Sequence, residues 1–156
     1  MRKRSKYRPK PVLADPLAYV LESSGLIKDE HPAYLVKWQL NVNQAFGALL
    51  KGYASKHDLH VMSGAMNLCE SIMKLKKMSD DGTLKQAEQA LIALTDRANQ
   101  GKGLTMKAAE IQSMRDIVQI HDELLGLVSV REFDQALAYA KREAQAGRTI
   151  TLKEPA

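Results

Sequence analysis

Residues 89–107, QALIALTDRANQGKGLTMK, align without a gap on residues 135–153, QALAYAKREAQAGRTITLK. Gln89, Ala90, Leu91, Ala98, Gly101, Thr105 and Lys107 fall on Gln135, Ala136, Leu137, Ala144, Gly147, Thr151 and Lys153. Each stretch carries apolar residues at three- and four-residue steps, the signature of one helix face. Each face then meets a glycine, which takes left-handed backbone without strain and so ends helices. Upstream, Thr83 with Gln86 and Ser129 with Glu132 have the spacing of capping boxes, at the same offset as the alignment. The pattern predicts two helical hairpins, 56–101 and 102–147. Neither hairpin can cover its own apolar face, so each needs a neighbour. Two origins stay open: a duplicated unit, or amphipathic helices with glycine stops that resemble one another by composition.

The neighbour is legible further back. Pro32 suits a first helical position, since proline needs no donor there. Leu35, Trp38, Val42, Ala45, Phe46, Leu49 and Tyr53 then form one stripe. Ser55 with Asp58 reads as a capping box before Leu59, Met62, Met66, Cys69, Ile72 and Met73. KLKK at 74–77 places cations where the helix dipole favours them, and SDDG at 79–82 is a turn. Thr105 is expected to open the helix carrying Ile111, Met114, Ile117, Val118, Leu124 and Leu125. Asp15 before Pro16 predicts a short early helix with Leu17, Val20 and Leu21, stopped near Gly25. No hairpin signal or sustained alternation argues for strands. The expected fold is an all-α bundle of about six helices, the two hairpins packing on the helix at about 32–54. Residues 1–12 form a basic extended arm, 13–147 one helical domain, and 148–156 a C-terminal arm. That last arm, with Ile150, Thr151 and Glu154, either docks on another subunit or lies on its own core.

Charge is distributed unevenly. The net charge is +5, but the first ten residues contribute six cations and no acid, so residues 11–156 sum to −1. Pro9 and Pro11 disfavour helix there, which makes an arm that reaches outward. Arg2, Lys3, Arg4, Lys6, Arg8 and Lys10 are candidate phosphate contacts, with Tyr7 able to stack on a base. With aromatic residues at 5%, there is no broad stacking platform for single strands. The single cysteine, Cys69, excludes a disulfide within the chain. No apolar run approaches the roughly 20 residues of a membrane span. A cytoplasmic protein is expected, with no membrane partner and no cofactor.

Candidates for chemistry are weak. His57 and His60 share a helical face, yet a metal site needs further ligands, such as Glu70 or the His121–Asp122–Glu123 run. His121 and Cys69 both sit in apolar stripes and read as core residues. Gly101–Lys102–Gly103 precedes a helix without the length of a phosphate loop, although Lys102 and Arg148 match at the offset. Met62, Met66, Met73, Met106 and Met114 either pack the core or line an adaptable groove. No catalytic residue and no metal ligand is assigned, and the chain is expected not to be an enzyme.

The stretch Lys6 to Val12, the AYVL at 18–21 and the Gly-x-x-Leu-Thr at 101–105 resemble a group of small, uncharacterised, all-helical proteins of proteobacterial prophages and mobile elements. The resemblance implies a bacterial cytoplasm and an accessory role, and lends no site residues. Together these readings predict a non-enzymatic protein that binds nucleic acid through its basic arm and has a protein partner or forms a homo-oligomer. The alternative is an adaptor or inhibitor of a host factor, without nucleic acid.

Overall fold

The computed structural model describes residues 23–149 of the 156. The basic arm, the helix expected from Pro16 with Leu17, Val20 and Leu21, and the C-terminal arm with Ile150, Thr151 and Glu154 lie outside the described residues. Six helices follow in order: α1 (Ile27–Glu30), α2 (Pro32–Leu50), α3 (Lys56–Leu75), α4 (Thr83–Asn99), α5 (Ala108–Leu125) and α6 (Val130–Gln145). Among the described residues there is no strand, only one isolated antiparallel bridge between Leu26 and Ser129. The expected all-α bundle is therefore present.

Helix α3 is the axis. Leu59, Met62, Ala65, Met66, Leu68, Cys69 and Ile72 are buried and point to more than one side of it. Helices α2, α4, α5 and α6 all pack on α3. Its buried serines are satisfied within the helix: the Ser63 and Ser71 hydroxyls donate to the carbonyls of His60 and Asn67. A hydroxyl bonded this way can be buried without a large desolvation cost.

The pairing departs from two like hairpins. Helix α4 packs on both α3 and α5, while α6 packs on α3 and forms no comparable pair with α5. The expected role of the 32–54 helix does hold, since α2 packs on α3 from the first unit and α5 from the second. The aligned stretches share a local structure rather than a repeated hairpin. At the ends of α4 and α6, the Lys102 and Arg148 N–H groups donate to the Arg97 and Glu143 carbonyls, with Gly101 and Gly147 at φ +75° and +69°. That is one helix-ending motif used twice.

Helix starts follow the sequence at some places and not at others. Ser55–Asp58 and Ser129–Glu132 are reciprocal capping boxes. Thr83 is not a cap. It is already inside α4, and the carboxylates of Asp81 and Asp80 accept from the N–H groups of Thr83 and Leu84. Thr105 does not open α5, which begins at Ala108, and Glu110 accepts from the Lys107 N–H instead. In both cases an ionised carboxylate satisfies orphan amides more strongly than a threonine hydroxyl does. Tyr53 falls beyond the end of α2 and is exposed, so it leaves the predicted stripe.

Candidate functional site

The proposed phosphate contacts Arg2, Lys3, Arg4, Lys6, Arg8 and Lys10, and Tyr7 with them, lie outside the described residues. The described residues do fix where the chain leading to them enters the fold. The Arg131 N–H donates to the Ser23 carbonyl and the Val130 N–H to Gly25, while Ile27 donates to Val128, each at 3.0 Å. Two of these bonds use amides at the start of α6, which have no intrahelical acceptor. Gly25 thus belongs to this extended pairing. Ser23 is buried, so the entry point is anchored at the N-terminal end of α6.

Beside that anchor is an aromatic cluster. Phe133 is buried on α6 and meets Trp38 and Tyr34 of α2 edge-on, at 5.6 and 6.0 Å between ring centres. Both α2 and α6 are seated on α3. A groove of about 450 Å³ opens between them. Trp38 and Asn41 form one wall, Leu137, Ala140 and Ala144 the other, and Val61, Gly64 and Leu68 lie along α3 between them. The groove continues along α2 past Tyr34, Lys37 and Leu40. Sequence reasoning placed Trp38, Leu137 and Ala140 in the core stripe, but they are only half-buried. The missed signal is size: Gly64, Ala140 and Ala144 leave space where larger residues would have closed the layer.

The titratable candidates do not converge. His57 and His60 are both exposed at the groove's far end. No group of three or more His, Cys, Asp or Glu among the described residues is arranged to hold a metal. His121 is buried on α5; its Nδ1 lies 3.1 Å from Asp122 Oδ1, while its Nε2 is buried without a partner. Burial holds its pKa below the usual histidine range, partly countered by Asp122, so the ring is neutral in the fold. Cys69 is fully buried, and burial together with the Asp122 charge pushes its thiol up to about 12. A thiol so placed is no nucleophile at neutral pH. Met62, Met66, Met106 and Met114 are buried core residues, and Met73 packs partly buried against them.

Of the matched cations, Lys102 is exposed, whereas Arg148 is held within its own helix end. Arg148 is held bidentately by Glu143, at 2.9 and 2.8 Å. Arg97 grips both carboxylate oxygens of Glu110, at 2.7 and 2.6 Å, and also donates to the Thr105 carbonyl. The Arg97 guanidinium holds the Glu110 carboxyl below its ordinary pKa. No helix among the described residues is long and apolar enough to cross a membrane. No family model matches the chain, and comparison with curated proteins and with solved structures returned no match either.

Proposed function

We propose that this chain is a non-enzymatic accessory protein of phage or prophage type, acting in the cytoplasm. It binds nucleic acid through Arg2, Lys3, Arg4, Lys6, Arg8 and Lys10, with Tyr7 stacking on a base. The observation that carries the reading is the segregation of charge: six cations in the first ten residues, against −1 for residues 11–156. Attraction to a polyanion therefore has one principal source. The anchoring of Ser23 beside α6 supports the picture of a basic arm attached to a rigid body. Binding of this kind reads the backbone and little sequence.

The test compares the protein with a variant in which all six cations are glutamine, on duplex DNA and on RNA at two salt concentrations. Six phosphate contacts predict that affinity falls about a thousandfold between 50 and 200 mM salt. The variant should lose both the affinity and most of that slope. If its affinity and slope match those of the unmodified chain, the arm is not the binding element. If neither form binds nucleic acid, the adaptor reading takes its place, with a protein partner retained in high salt.

A further inference from the structure

We infer that the outer face of α2 is a two-fold interface with a second copy of this chain, the two α2 helices packing antiparallel about the level of Ala45. The face itself is the first observation. Helix α2 carries one charged side chain, Lys37, in its 19 residues, and no acid. Its inner stripe of Leu35, Val42, Ala45 and Leu49 is buried in the bundle, yet Val36, Leu40 and Leu50 on the opposite line are 57%, 54% and 44% exposed. A helix that is apolar on both sides calls for cover on both sides. Val36, Leu40, Asn43, Gly47 and Leu50 recur at alternating steps of four and three, the seam of paired helices.

The seam fits a copy of itself. Antiparallel pairing about Ala45 sets Leu40 of each copy against Leu50 of the other, and Asn43 against Gly47. Nothing lies within 4 Å of the place a Cβ would take on Gly47, so the larger side chain has room there. Charge selects the same occupant. Asp122 and Glu123 of α5 line a groove beside α2 with Asn43 and Phe46. They accept from Asn43 and Gln119, and form no ion pair with a lysine or arginine; Arg115 on the same wall bonds Gln112. Lys51, at the end of α2, lies only over the Tyr53 ring. The two-fold carries Lys51 to the level of Gln39 and Asn43 of the other copy, beside those carboxylates. A polyanion on this face would repel the carboxylates and a basic partner would repel the lysine, whereas a second copy suits both. The strip along α2 is about 28 Å long. At two side chains wide it covers about 600 Å² per copy, at the lower edge of what a stable dimer buries. The inference holds whether or not the arm binds nucleic acid.

Sedimentation equilibrium of the full chain tests this. An interface of this size predicts a monomer–dimer equilibrium with a dissociation constant of about 10 to 100 μM. Leu40→Glu with Leu50→Glu should weaken it about a hundredfold or more, while helix content by circular dichroism stays unchanged because both side chains are already exposed. A charge reversal reads the interface without touching the apolar seam. Lys51→Glu should weaken the dimer about fivefold, and adding Glu123→Lys to it should restore the dimer. A chain that stays monomeric at millimolar concentration overturns the inference. A dimer indifferent to Leu40→Glu with Leu50→Glu, or a charge reversal that fails to restore it, also overturns the inference, because the copies then meet on another face. So does a monomer that binds vesicles of anionic lipid and loses that binding with Leu40→Glu and Leu50→Glu, which assigns the face to a lipid surface.

Discussion

Four helices end in one way, and a single residue departs from the pattern. The N–H groups of Tyr53, Met78, Lys102 and Arg148 donate to the carbonyls of Ala48, Met73, Arg97 and Glu143, five residues back in each case. The residue before each donor has positive φ: Gly52, Lys77, Gly101 and Gly147. Three are glycine, and Lys77 at φ 55° is the only described non-glycine residue in that region. A Cβ there crowds the following carbonyl, at a cost of about 1–2 kcal/mol relative to right-handed backbone. Lys77→Gly removes that strain but gives the unfolded chain more freedom. The expected net gain is about 1 kcal/mol, read as a higher urea midpoint with an unchanged slope. A lower midpoint would mean that Lys77 makes a contact worth more than its strain.

At the level of elements, α4 shows both the reach of sequence patterns and their limit. Its apolar stripe was legible: Leu84, Ala87, Leu91 and Leu94 recur at helical spacing and are buried. Its start was not, because Thr83–Gln86 has the spacing of a cap while Asp80 and Asp81 do the capping. Spacing alone cannot show that the helix starts one residue earlier, so that the Gln86 amide goes to the Gly82 carbonyl and the two carboxylates take the amides of Thr83 and Leu84. Asp80→Ala should therefore destabilise by about 1 kcal/mol, and Thr83→Ala by clearly less, in paired urea denaturation. The reverse order would restore threonine as the cap. The same reasoning explains why the groove was missed. Periodicity identifies the face of α6 carrying Phe133, Ala136, Leu137, Ala140 and Ala144, but not what covers it. Phe133 and Ala136 are buried, whereas Ala144 is exposed. That difference is a tertiary fact with no local signal: Phe133 is met by Tyr34 and Trp38 of α2, whereas Ala144 lines the groove.

For the whole molecule, the arrangement around α3 makes stability a shared property, because no helix that packs on it can leave without exposing it. Cys69, fully buried at this axis, is a built-in reporter and the only cysteine in the chain. Its thiol reacts as the thiolate, and burial that pushes its pKa up to about 12 suppresses that form in the fold. Labelling by an aromatic disulfide therefore requires an opening that exposes α3. If that opening is global, Met66→Ala, one turn away and equally buried, must accelerate labelling by the full factor of its destabilisation. A loss of about 2.7 kcal/mol corresponds to roughly a hundredfold, when reclosing outpaces reaction. Phe133→Ala separates the helices further. If α6 opens with the rest, its effect on labelling should equal its effect on the urea-derived stability. If α6 detaches first, Phe133→Ala lowers helix content early in the titration and leaves the labelling of Cys69 almost unchanged. The packing favours the first outcome, because α6 is seated on α3 and its Phe133 ring is also held edge-on by Tyr34 and Trp38 of α2, which ties α6 to two helices of the bundle.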